Sequence, residues 1–190
     1  SFLNYSLKKV FISTTSFATY SKAPLKLLEK NNFHIELNKT GRKLTSHEVP
    51  LYLKPYDAVI AGTETYSEKT LKLLPNLKVI SRLGVGLDNI DMKSAKKLKI
   101  SIYKTKTIPA LAVAELTLGL MLDLLRKISY QYSLIKSGIW KKNMGELLSG
   151  KTLGIIGLGA IGKKLVEITT GFNLQYLAYD IQKDEVFTEN

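Results

Sequence analysis

Thr152-Leu153-Gly154-Ile155-Ile156-Gly157-Leu158-Gly159-Ala160-Ile161-Gly162 is the stretch whose reading decides the fold. Residues 152–156 form an almost continuous apolar run, as expected of a parallel strand covered on both faces. Gly157 allows a tight turn, Gly159 lets the backbone approach a pyrophosphate, and Gly162 lets the following helix pack close to the strand. That helix, over residues 160–170, would point its N-terminal amides and dipole at the phosphates through Ala160 and Ile161. Residues 174–180 read as the next strand. It closes on Asp180, near the ~20-residue spacing expected of an acid that takes the ribose hydroxyls. A glycine pattern alone is weak, and the competing reading is a glycine-rich turn with no ligand. Strand, helix, second strand and terminal acid in register favour a dinucleotide site. Asp180 favours NAD over NADP, because a carboxylate repels the extra 2′-phosphate. Lys183 works against that preference.

Upstream, short apolar runs alternate with amphipathic ones. Strands are predicted over residues 9–13, 33–37, 57–62, 77–81 and 100–103, and helices over 24–30, 67–74 and 91–98. Ser67 is a candidate N-cap. Residues 38–55 read as a polar connection broken by Gly41, Pro50 and Pro55. The alternation of strand and helix predicts a parallel sheet with covering helices, an α/β fold. Residues 110–128 read as one helix, apolar almost all round but interrupted by Glu115, Asp123, Arg126 and Lys127. That pattern predicts a helix buried between domains or subunits and not a membrane span. A polar, aromatic stretch over 129–149 follows, with Trp140 as a packing anchor.

The 190 residues carry a formal net charge of +12 but only three arginines, Arg42, Arg82 and Arg126. The lysines are scattered and lack an interleaved aromatic platform, which reads as a solvated surface and not as a nucleic-acid interface. The absence of cysteine excludes disulfides and thiolate metal sites. No apolar run is long enough to span a bilayer, and the first residues do not resemble a signal peptide. The expected location is cytoplasmic, with neither a membrane nor a nucleic-acid partner.

A second glycine cluster, Arg82-Leu83-Gly84-Val85-Gly86-Leu87-Asp88-Asn89-Ile90-Asp91, follows the fourth strand. Two close glycines at the C-terminal end of a strand can present amides to an anion, where open α/β sheets place ligands. The residues alone leave an anion loop and a plain turn equally open. Arg82 could pair with a carboxylate or simply support the loop.

Here the chain resembles the D-isomer-specific 2-hydroxyacid dehydrogenases, the family of phosphoglycerate dehydrogenase and hydroxypyruvate reductase. The resemblance runs from residues 82–91 through Val113-Ala114-Glu115-Leu116-Thr117 and Gly138-Ile139-Trp140 to residues 150–162 and Tyr179-Asp180. It implies a flavodoxin-like N-terminal substrate domain over residues 1–103. It also implies the first βαβ part of a Rossmann NAD-binding domain over 104–190, including an interdomain helix at 110–128. The amides of Val85 and Gly86 would hold the carboxylate of a small 2-oxo or 2-hydroxy acid near the nicotinamide. Val113 would lie on the nicotinamide side. In the cofactor site shaped by Gly157, Gly159 and Gly162, the amides of Ala160 and Ile161 would meet the pyrophosphate, and Asp180 the adenosine ribose. A homodimer through the long helix and the following arm is implied.

In that family the catalytic arginine, glutamate and histidine follow the ribose-binding acid. The resemblance is therefore to a C-terminally truncated member with no catalytic residue of its own. His34 and His47 match no catalytic motif, and His34 reads as structural. The alternative is a non-catalytic NAD-binding or assembly module.

Overall fold

The computed structural model describes residues 8–182, 184 and 187. The chain divides into two compact units, residues 1–107 and 108–190.

The first unit is a five-stranded sheet: β1 (Lys9–Ile12), β2 (His34–Leu37), β3 (Ala58–Ala61), β4 (Val79–Arg82) and β5 (Ser101–Lys104). All pairings are parallel and the order is β2-β1-β3-β4-β5, the flavodoxin-like order. Between the strands run α1 (Ala23–Lys30), α2 (Glu48–Leu53), α3 (Glu68–Lys72) and α4 (Met92–Lys97). The expected α/β architecture is thus present.

Register places Phe11, Val59, Ile80 and Ile102 in one row across the sheet. Phe11, Val59 and Ile80 are buried in the core with Leu44, Val49, Leu53, Leu71 and Leu74. Each such side chain contributes about 1.5–3 kcal/mol relative to exposure. The Phe11 ring sits 5.2 Å from that of Tyr56. The Tyr56 hydroxyl donates to Glu36, and burial with that neighbour pushes its pKa up to about 12. The other face of the sheet leaves a cavity of about 350 Å³ between strand residues such as Val10, Ile60 and Val79 and the side chains of Leu28 and Phe33.

The connection over 38–55 holds a helix that the sequence reading passed over. Pro50 suggests a break, yet it stands in the first turn of α2, where the missing N–H has no intrahelical acceptor to lose. Leu44, Val49 and Leu53 of this supposedly polar segment are fully buried. Ser67 caps α3 as expected, accepting from the Thr70 amide at 3.2 Å. Asp91 caps α4 in the same way through the Ser94 amide.

The second unit contains α5 (Ala110–Arg126), α6 (Ile128–Lys136), β6 (Thr152–Ile156), α7 (Ala160–Thr169), a 3-10 turn (Thr170–Phe172) and β7 (Gln175–Tyr179). β6 and β7 pair in parallel, and α5 packs on α7. The long predicted helix ends early because Lys127 adopts φ 56° and ψ 38°, a left-handed residue that stops the run. α6 then starts at Ile128 and runs into the stretch read as polar and aromatic. The Asp123 carboxylate accepts from both the amide and the hydroxyl of Ser129, covering an orphan donor of its first turn.

Of the residues of α5 only Ala114 is buried, which leaves the helix face open for burial between domains or subunits. Two expectations here require correction. Trp140 is 91% exposed and is no packing anchor among the described residues. β6 is covered on one face alone, with Ile155 buried and Ile156 92% exposed. In each case the apolar pattern is real, but the residues described supply no surface to cover it. Among the described residues no helix is long and apolar enough to cross a membrane.

Candidate functional sites

The first site lies at the C-terminal end of β4. The Leu83 amide donates to Ala61 O at 2.9 Å, and Gly84 exchanges hydrogen bonds with Thr105 through its amide and its carbonyl. Gly84 has φ 150°, and a Cβ there would collide with the Arg82 guanidinium. Arg82 donates through Nη1 to the Leu83 carbonyl, so it supports the loop. Its Nε is buried and has no partner among the described residues. Beyond these anchors the amides of Val85 and Gly86 donate to no group among the described residues. Two neighbouring free amides are what an anion loop requires.

The second site is the turn between β6 and α7. Gly157, at φ 96°, donates to Tyr179 O at 2.8 Å. A Cβ at Gly162 would collide with the Gly157 carbonyl oxygen, whereas one at Gly159 would meet nothing within 4 Å. One glycine is therefore needed for packing, and the other faces open space that a ligand can enter. Ala160 and Ile161 open α7, and their amides belong to the first turn, which has no intrahelical acceptors. The Lys163 amide makes the first intrahelical bond, to Gly159 O at 2.9 Å.

Asp180 follows β7 directly. Its Oδ1 accepts from the Gln182 amide at 2.9 Å and its Oδ2 from the Leu158 amide at 2.7 Å. These backbone donors, Gln182 first and Leu158 next, hold its pKa below the usual aspartate value. The group is an anion at neutral pH, tied to the glycine turn itself. Lys163 pairs with Asp184 and stands over the Phe187 ring at 5.4 Å. Val113, in the first turn of α5, is partly exposed. Lys183 lies outside the described residues.

The two glycine clusters follow β4 and β6. The Asp180–Leu158 bond was not foreseen, nor was a buried cluster of Ser13, Glu64 and Tyr66 beneath the first loop. Thr63-Glu64-Thr65-Tyr66 carries no sequence signal that a carboxylate turns inward. His34 is exposed on β2 and His47 precedes α2, and neither belongs to either loop.

The family profile of the D-isomer specific 2-hydroxyacid dehydrogenase catalytic domain matches residues 11–189. Hydroxypyruvate reductase of Thermotoga maritima is 37% identical over 153 residues, covering 79% of this chain and 50% of that protein. The apo-structure of D-lactate dehydrogenase from Escherichia coli is 26% identical with a TM-score of 0.77, over 96% of this chain and 58% of that one. The NAD⁺-bound 3-phosphoglycerate dehydrogenase of Entamoeba histolytica is 29% identical with a TM-score of 0.71, over 95% and 56%. The chain spans half or less of the length of the first curated relatives it matches. It belongs to the D-isomer specific 2-hydroxyacid dehydrogenase family.

Proposed function

We propose that these residues form the cofactor-binding and carboxylate-binding parts of an NAD-dependent oxidoreductase acting on D-2-hydroxy acids and 2-oxo acids. The observation that carries this reading is the Asp180 carboxylate, held ionised at the end of β7 by the amides of Gln182 and of Leu158 in the glycine turn. A ribose diol donates to such a group, and a 2′-phosphate is repelled by it. Ala160 and Ile161 receive the pyrophosphate on their backbone amides, beside the turn that Gly157, Gly159 and Gly162 shape, and Val113 lines the nicotinamide side. A bound nicotinamide supplies the hydride. The free amides of Val85 and Gly86 orient the substrate carboxylate. They are blind to the substrate's R group, so this reading names a class of acid and no single one.

Reduction of a carbonyl also needs a proton donor working near pH 7. Neither histidine stands in a loop described above, so we assign the donor to no residue of this chain. The 190 residues alone are then expected to bind cofactor without turnover. The exposed apolar side chains Leu116, Leu120 and Leu124 of α5, with Trp140 after α6, support a homodimer through that helix and the arm beyond it. Sedimentation velocity at micromolar concentration should show a dimer that Leu120→Glu dissociates. A monomeric wild-type chain would remove this part of the reading.

Calorimetric titration with NADH and NADPH tests the cofactor assignment. NADH should bind at least about tenfold more tightly, a difference of about 1.4 kcal/mol, and Asp180→Ala should narrow the gap. Equal affinities for the two cofactors in the wild-type chain would overturn it.

A further inference from the structure

The first unit buries a carboxylate that the proposed reaction does not use. Glu64 is 1% exposed and, among the described residues, forms no ion pair. A buried charge without an ion partner is costly unless several donors face it. Glu64 Oε1 has three: the Ser13 hydroxyl, the Gly62 amide at 3.0 Å and the Tyr66 hydroxyl at 2.7 Å. They come from the end of β1, the end of β3 and the segment leading into α3. Burial and the adjacent Glu64 carboxylate push the Tyr66 phenol well above its usual pKa, so this hydroxyl remains a donor. An apolar side chain would fill the same space at lower cost but could not draw three segments to one point.

The segment so fixed carries the glycine loop. The Tyr66 amide donates to Asn89 O at 2.7 Å, and the Asp91 amide returns to Tyr66 O at 2.9 Å. Asn89 Nδ2 donates to the carbonyl of Glu64 itself at 2.7 Å and more weakly to that of Gly62 at 3.4 Å. At the other end of the loop, Leu83 is tied to Ala61. Both feet of residues 84–88 therefore stand on the end of β3, and the Glu64 carboxylate locks that end.

We propose that Glu64 is a positioning residue: through Tyr66 and Asn89 it holds the 84–88 loop so that the Val85 and Gly86 amides face a carboxylate. The consequence for binding rests on the function proposed above; the bracing itself does not. Electrostatics alone predict the opposite sign, because removing a buried anion near an anion site should strengthen anion binding.

Glu64→Gln keeps an acceptor oxygen and removes the charge, while Asn89→Ala cuts the brace without touching the buried carboxylate. Two measurements on the intact chain decide the matter. Amide hydrogen exchange should accelerate at the bonded amides that anchor the loop, those of Tyr66, Ile90 and Asp91, in both variants, on the order of tenfold or more, and remain unchanged in β1 and β3. With NADH present, oxamate, an unreactive 2-oxo acid analogue, should bind about tenfold more weakly, and the NADH affinity should stay within twofold. Unchanged exchange at these anchoring amides in both variants overturns the proposal, as does tighter oxamate binding by Glu64→Gln. If Glu64→Gln fails to fold, Asn89→Ala alone decides by the same criteria. If the wild-type chain binds no oxamate, the carboxylate role of the loop falls, and the exchange rates still decide whether Glu64 braces it.

Discussion

The two units solve the same problem, a ligand loop at the end of a parallel strand, by different means. In the first, five strands close over a row of buried side chains, and the loop after β4 is pinned by side chains such as Arg82 and Asn89. In the second, two strands carry the site, and Ile156, Leu177 and Tyr179 lie more than 60% exposed. Yet the turn after β6 is as well defined as the loop after β4. Its contacts are local: the Gly157 amide donates to Tyr179 O, and the Asp180 carboxylate accepts from the Leu158 amide. A turn whose contacts run only between two adjacent strand ends tolerates an open sheet around it; a loop braced from several segments needs a finished core beneath it.

The contrast breaks most easily at the core. Leu53→Ala in the first unit should cost about 2–5 kcal/mol, because the side chain is fully buried among Phe11, Val49 and Val59. Leu177→Ala, on the exposed face of β7, should stay within about 0.5 kcal/mol. Urea unfolding followed by circular dichroism measures both. Equal costs would mean that β7 is covered in solution and that the second unit is no less closed than the first.

A finer separation falls inside the glycine turn. Gly162→Ala drives a methyl group into the Gly157 carbonyl, and relieving that collision should cost about 1–3 kcal/mol together with NADH binding. Gly159→Ala meets nothing within 4 Å, so its melting temperature should hold while NADH binding is lost to a methyl group in the path of the pyrophosphate. A thermal melt beside a cofactor titration distinguishes the two. If Gly159→Ala also unfolds the unit, the open space beside Gly159 has been misread.

What was legible in the sequence follows the same division. Local devices announce themselves: the glycines at 157, 159 and 162, the acid at 180 and the cap at Ser67 all stand where residue type and spacing place them. Features that depend on distant partners do not. Pro50 hides α2 because a proline in a first turn and one that ends a helix look alike in sequence. Lys127 is an ordinary helix former, and only its left-handed backbone reveals the break between α5 and α6. Glu64 reads as a loop acid, because the Ser13 and Tyr66 hydroxyls that justify its burial come together only when β1 and β3 pair. The apolar character of α5 and Trp140 signals burial, but what buries them is not among the residues described.

The smallest expected effect concerns the surface of the first unit, where side-chain bracing continues outward. Arg42 grips Glu48 through both Nη1 and Nη2, at 2.9 and 2.6 Å, and Glu48 also accepts from the amide and hydroxyl of Thr45. The Arg42 contact first, then the Thr45 donors, lower the Glu48 pKa to about 2. A carboxyl whose pKa is lowered by folding stabilises the native state above its unfolded value, near ~4.3. That contribution is lost as the pH falls through about 2. Arg42→Ala should therefore lower the melting temperature slightly at pH 7, and the difference from wild type should shrink between about pH 4 and pH 2. Added salt should shrink it at neutral pH, as expected of an exposed pair. A difference that stays constant on acidification would mean that the arginine acts through packing of its aliphatic stem on the α2 region, making the outer brace apolar like the core it surrounds.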